Sequence, residues 1–148
     1  AKFSQAEQRI GFAGWEPYTH MITMLEVGPR RYREWLLTGK ALTAQEAKEW
    51  GLVNSVVPDD KLEEETLRWA KAVALQSADG LMIGKVMTRL CYDLLGNNAI
   101  YTATQAIHPL FTNLKWREDE LNFLKYRDKT GITQAFKDRE KMWSDLGF

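Results

Sequence analysis

The sequence contains little that would cross-link it or anchor it. One cysteine, Cys91, stands among 148 residues, so no internal disulfide can form and no thiolate zinc site can assemble. A reducing compartment is the expected setting, with the cytoplasm the expected location. No apolar run approaches the ~18–20 residues that a bilayer-spanning helix requires, so no membrane partner is expected. Charge of one sign is lacking too. The chain carries 20 Lys+Arg against 20 Asp+Glu, a balance that gives no reason to expect nucleic acid or anionic lipid. There is no internal repeat and no low-complexity stretch. The chain opens at Ala1-Lys2-Phe3, with neither an initiator Met nor a charge-then-apolar leader pattern. The expectation is a part of something longer.

What is present suits a folded chain. Its length matches one domain of ~100–150 residues, and 45% hydrophobic residues is too much for disorder. Six tryptophans imply large apolar surfaces to be filled within the fold or at an interface. Phe3 to Ile10 reads as a strand end and a loop. Pro17 suits the first turn of a helix whose Tyr18, Met21, Ile22 and Leu25 share one face. Pro29 opens a second helix, with Tyr32, Trp35 and Leu36 together and Gly39 as its stop. Thr43 and Glu46 form a capping box for a helix from Ala44 to Trp50 that Gly51 ends. Residues 52–57 form a β-prone run. Asp59 or Asp60 is expected to cap the next helix, and Ser77 the one after, with a turn at 96–98. A long helical stretch over 99–129 should kink or break at Pro109, and the mixed charge of 116–129 reads as an exposed face. Gly131 precedes a final amphipathic helix. One strand and about seven helices leave apolar faces without a sheet to cover.

Three segments carry a resemblance. Residues 35–58 read WLLTGKALTAQEAKEWGLVNSVVP, residues 1–11 AKFSQAEQRIG and residues 131–139 GITQAFKDR. Together they resemble the "LTG…AEEA…GLV…VVP", "A-x-F-x-x-P-E-x-x-x-G" and "E-G-x-x-A-F" patterns of the crotonase superfamily, the enoyl-CoA hydratases and isomerases. The resemblance implies an α/β fold with a ββα spiral core, of which this chain is the mostly α-helical C-terminal part. Residues 1–58 would close the spiral, with its active-site loop and core helices. Residues 59–148 would form a helical region for oligomerisation and cover of the CoA site. The missing N-terminal part of the same protein would supply the oxyanion-hole amides, which hold the enolate oxygen of a CoA thioester. The chain by itself should therefore be inactive.

The resemblance also implies site residues. Glu7 takes the position of the family's catalytic Glu, a general acid/base that needs a partly desolvated pocket. Without the motif it would read as a solvated loop residue. Ala6 stands where the family has Pro. Gly11 and Gly14 fall in the substrate-binding loop, and Trp15 and Glu16 replace part of its "G-A-G-G", which reshapes the acyl pocket. Trp15 could equally pack in the core, and Glu16 could face water or act as a substitute acid/base. His20 is expected to be packed and His108 structural. Arg30, Arg31 and Arg33 at a helix start oppose the dipole and are expected to be solvated or ion-paired to Glu26 and Glu34, with a nearby anion such as a CoA phosphate as the alternative. Phe136 and Arg139, at i and i+3 on the last helix, match positions that reach a neighbouring subunit's CoA. A core Phe and a surface Arg are the alternative.

The function implied is the processing of an acyl-CoA thioester, first as an enoyl-CoA hydratase, then as an isomerase or a C–C hydrolase. A non-catalytic assembly or binding protein is the reading from another class. No metal and no separate cofactor are expected, since CoA belongs to the substrate. A homo-oligomer, trimer or dimer of trimers, is expected.

Overall fold

Two short strands and eight α-helices are laid out along residues 1–12 and 20–148, the residues that the computed structural model describes. Strand β1 (Lys2–Phe3) pairs antiparallel with β2 (Leu42–Thr43), setting Lys2 opposite Thr43 and Phe3 opposite Leu42. A 3₁₀ helix, Ala6–Ile10, follows β1. The helices are α1 (His20–Val27), α2 (Pro29–Thr38), α3 (Ala44–Trp50), α4 (Leu62–Ala74), α5 (Ala78–Leu94), α6 (Asn97–Thr112), α7 (Phe123–Thr130) and α8 (Ile132–Asp145). Among the described residues the expected α/β class is thus represented by a helical assembly with one two-residue strand pair.

Local chemistry sets the best-defined ends. Pro29 starts α2 where its missing N–H costs nothing. Gly39, with φ of 64°, stops α2 and returns its N–H to the Trp35 carbonyl. The Thr43 hydroxyl accepts from the Glu46 N–H at 3.2 Å, and the Glu46 carboxylate accepts from the Thr43 N–H at 2.8 Å. The capping box is therefore complete, and Gly51 closes α3 in the left-handed conformation. Ser77 caps α5 by accepting from the Gly80 N–H.

The core lies between α1 and α2. Val27, Tyr32 and Leu36 are buried together, with Met24, Trp50 and Leu52 packed against them. On α1 the buried side chains are Met21, Thr23 and Val27. Leu25, assigned to the inward face from its spacing, is 46% exposed. The short helix turns a narrower stripe inward than the i, i+3, i+4, i+7 pattern implied. Pro17 and Tyr18 lie outside the described residues.

Other expectations are corrected. Residues 52–57 form no strand, because a β-prone run needs a neighbour to pair with and β2 is only two residues long. Asp59 and Asp60 sit in a 3₁₀ turn (Asp59–Lys61) and do not cap α4, whose N-cap is Lys61 without a side-chain bond. The stretch 99–129 is two helices. Helix α6 contains Pro109 and ends at Thr112, the chain runs irregularly over 113–122, and Asn122 caps α7 through the Lys125 N–H. Of the charged residues 116–129, mostly exposed as expected, only those from Phe123 onward are helical, and Phe123 is buried. Arg30, Arg31 and Arg33 are exposed, which is the solvated alternative; Arg31 turns to the Glu49 carbonyl (2.9 Å) and to the Trp50 ring (5.8 Å), and the described residues show no ion pair from the three to Glu26 or Glu34.

Candidate functional site

The Glu7 turn is built from the backbone outward. Gln5 is extended, residues 6–10 wind into the 3₁₀ helix, and Gly11 leaves it with φ of 95°. The Phe12 N–H donates to the Glu7 carbonyl at 3.0 Å, which closes the turn. Glu7 itself is half-buried, and its carboxylate makes no hydrogen bond or ion pair with another described residue. Gln8 and Arg9, the next two residues, are buried. The turn is thus held by its neighbours and offers Glu7.

Gly11 is required twice over. Its positive φ disfavours any residue with a Cβ, and such a Cβ would lie 2.2 Å from Cη2 of Trp116 and 2.7 Å from Cζ3. The indole of the irregular 113–122 segment therefore seats directly on the glycine. Gly14, Trp15 and Glu16 lie outside the described residues. His20 is half-buried and meets Tyr32 edge-on at 4.9 Å, its Nδ1 2.8 Å from the tyrosine hydroxyl, which is the packed role expected of it.

Arg9, which the sequence reading passed over, holds the turn from behind. Its Nε donates to the Gly39 carbonyl at 2.5 Å, and its Nη1 donates to Glu140 Oε2 at 2.7 Å. The guanidinium lies 5.5 Å from the ring centre of Trp143, whose Nε1 donates to the Thr38 carbonyl at 2.5 Å. Two side chains of α8 and the end of α2 thus converge on the residue two places after Glu7. Gly39 admits them: a Cβ there would stand 3.0 Å from Arg9 Cγ and 3.2 Å from Trp143 Nε1. A cation between Gln8 and Ile10 was the available signal. Its partner lies 131 residues away, beyond the reach of any local pattern.

Phe136 and Arg139 share a face of α8, as their spacing predicts. The Arg139 guanidinium lies 4.6 Å from the centre of the Phe136 ring and 5.6 Å from that of Phe123. The two rings are 5.3 Å apart and tilted by 48°. Phe123 is buried, whereas Phe136 is 40% exposed. Arg139 also pairs with Glu140 Oε1 at 2.6 Å. One carboxylate therefore bridges Arg9 and Arg139 and connects the Glu7 turn to the aromatic–cation face. Tyr126 donates to Asp138 Oδ2 at 2.6 Å and ties α7 to α8. That bond raises the tyrosine pKa and lowers that of the aspartate.

A turn that offers a carboxylate, clasped to a terminal helix with an aromatic–cation face, defines a helical module around one acid/base candidate. Residues 1–131 match the model of the family described as enoyl-CoA hydratase/isomerase, and the chain belongs to that family. It is 32% identical over 126 residues to the human protein named enoyl-CoA hydratase domain-containing protein 3, mitochondrial, a match covering 83% of this chain and 37% of that protein. It is 40% identical over 74 residues to the short-chain-enoyl-CoA hydratase of Clostridioides difficile, covering 50% of this chain and 47% of that enzyme. With the mevalonyl-coenzyme A hydratase SIDH of Beauveria bassiana it shares 33% identity over 84 residues, covering 56% and 30%. The chain spans between about a third and about a half of the length of these curated relatives. No solved structure matches it.

Proposed function

We propose that the protein to which this chain contributes is an enoyl-CoA hydratase, adding water reversibly to a 2-enoyl-CoA through a thioester enolate. The observation that carries this reading is the match to the hydratase/isomerase family over residues 1–131, taken with a Glu7 whose carboxylate has no partner among the described residues while Gln8 and Arg9 behind it are buried. In the crotonase arrangement, a ββα spiral core supplies the oxyanion-hole amides and a second carboxylate from the part of the protein that precedes Ala1. Glu7 then passes a proton to or from the carbon beside the thioester, and the amides stabilise the enolate oxygen. Residues 1–58 complete the core and 59–148 the helical region. Phe136 and Arg139 offer a ring and a cation to CoA, and Gly11, Gly14, Trp15 and Glu16 shape the acyl pocket. The residues at 14–17, Gly-Trp-Glu-Pro, favour a second reading, an isomerase or C–C hydrolase with an altered acyl site. A non-catalytic crotonase-like assembly is the alternative from another class.

The same reading makes the protein a homo-oligomer, a trimer or dimer of trimers, in the cytoplasm, without metal, separate cofactor, nucleic-acid or membrane partner. What supports assembly is the surface. Helix α5 has no buried residue, and an open groove of about 620 Å³ between α1, α5 and α6 includes Ile22, Leu81, Gly80 and Gly84 in its lining, together with Lys85 and Arg89. The exposed thiol of Cys91 suits a reducing compartment.

The test is turnover of 2-enoyl-CoA by the whole protein and by its Glu7→Gln variant. The expected loss is about a hundredfold or more, the usual scale of an acid/base contribution. Unchanged turnover in a folded variant rejects the assignment of Glu7. Absence of turnover on 2-enoyl, 3-enoyl and cyclic β-keto acyl-CoA substrates, with retained CoA binding, selects the non-catalytic reading.

A further inference from the structure

We infer that Arg9 is a positioning residue for Glu7: buried behind the turn, it fixes the carboxylate by clasping the turn to the end of α2 and, through Glu140, to α8. The inference rests on the reading of Glu7 as the proton carrier and extends it to Arg9, an unspecified position of the opening pattern, and to Glu140 of α8. Arg9 is the second residue after Glu7 in a five-residue 3₁₀ helix, so any shift of its Cα moves the Glu7 backbone with it. Its side chain is only 6% exposed and is fixed in two directions, by the Gly39 carbonyl at 2.5 Å and by Glu140 at 2.7 Å. Two bonds to a planar fork define an orientation, which one bond to a flexible ammonium does not.

The arrangement is a costly way to staple two elements. The remaining nitrogen, Nη2, is buried without a hydrogen-bond partner among the described residues, and desolvating a guanidinium is expensive unless its donors are all met. An apolar side chain of similar size would pack the turn against Trp143 without that penalty. What an apolar residue could not do is set the angle of the turn to the two carbonyl and carboxylate acceptors. Proton transfer depends on such placement, and displacement of a catalytic group by about 1 Å costs about a hundredfold in rate. Glu140 is the reporter of this clasp, because its carboxylate is half-exposed and can be changed without opening the core.

The experiment is a kinetic cycle on the whole protein with Arg9→Ala, Glu140→Gln, Glu7→Gln and the Glu7→Gln/Arg9→Ala double variant. For Arg9→Ala, kcat is expected to fall by about ten- to a hundredfold, and for Glu140→Gln by a smaller factor, with KM within about threefold of wild type. Arg9→Ala should add nothing to Glu7→Gln, since a residue that acts only through Glu7 has nothing left to position. A purely structural Arg9 would lower the melting temperature and leave kcat of the folded enzyme alone. The inference is overturned if folded Arg9→Ala and Glu140→Gln retain wild-type kcat, or if Arg9→Ala slows Glu7→Gln by the same factor as wild type. If Arg9→Ala does not fold, Glu140→Gln is carried through the same cycle and decides.

If Glu7→Gln itself keeps full turnover, the catalytic reading of Glu7 fails, and the clasp is judged by amide hydrogen exchange. Exchange of the Phe12 amide, which closes the turn onto the Glu7 carbonyl, should then rise by about tenfold in both variants, as local opening becomes easier, while amides of α3 stay as they were. Unchanged exchange at Phe12 overturns the clasp.

Discussion

Gly11 concentrates two demands in one position: a φ of 95° and an indole 2.2 Å from where a methyl group would sit. Gly11→Ala must therefore displace Trp116 as well as strain the backbone, and should lower unfolding free energy by about 1–3 kcal/mol, the usual range for overpacking, as read from denaturant midpoints. Trp116→Leu in the same background should recover part of the loss, since the obstacle is the far edge of the ring. Arg139 permits a different prediction. If its guanidinium meets a CoA phosphate, Arg139→Ala should raise KM by about tenfold with little change in kcat, the low end for a charged hydrogen bond. Calorimetric titration with CoA at two salt concentrations checks it, since the effect should shrink as salt rises. Equal affinities would leave Arg139 as the packing partner of Phe136 and Phe123. The pattern of residues 1–11 makes Glu7 a candidate because it is a local string. Arg9 was not legible, since its carbonyl and carboxylate acceptors come from residues 39 and 140.

At the scale of elements, α3 depends on its first turn. The Glu46 carboxyl is held down at about 2 from an ordinary 4.5, first by the Thr43 N–H and then by the Lys40 ammonium. A depressed carboxyl stabilises the fold above its unfolded value and loses that contribution as pH falls. The capping box should therefore weaken between 4.5 and about 2, and Glu46→Gln should flatten that part of the stability–pH curve in acid titrations. Thr43→Ala, which removes the hydroxyl acceptor of the Glu46 N–H, should cost about 1 kcal/mol at neutral pH. Helix ends such as Gly39, Gly51 and Ser77 were readable because capping is settled within a few residues. The run at 52–57 forms no strand, and the stretch 116–129 is mostly exposed as its mixed charge implies but helical only from Phe123 onward. A strand exists only if another strand pairs with it, and mixed charge does not reveal where a helix begins. Pro109 does not break the helix as expected: α6 runs through it and ends three residues later at Thr112.

Over the whole molecule, apolar surface is unevenly distributed. Met82, Ile83, Val86, Met87 and Leu90 of α5 are each at least 49% exposed, and Trp69 and Val73 of α4 are 46% and 52% exposed. An apolar stripe of this kind is one that proteins usually cover, which is what the proposed assembly would do. Light scattering of the whole protein at micromolar concentration should return a multiple of the protomer mass. Replacing Ile83 and Met87 by glutamate should shift it toward a single copy, and a wild-type monomer would count against assembly. The expected helical character of the C-terminal region was legible in the periodicity. The exposure of these faces was not, because a hydrophobic pattern tells which side of a helix avoids water but not which chain covers it.

The contact between residues 9 and 140 also fixes an order of events. Arg9 leaves the ribosome long before Glu140, and a separation of 131 residues must be spanned before the ring they close can form. Until then the Glu7 turn has the Gly39 carbonyl as an anchor but not α8. A chain stalled or cut ahead of α8 would carry every residue of the opening motif and still lack the strut behind it. Clipping the last helix is thus a way to disarm the turn without touching it.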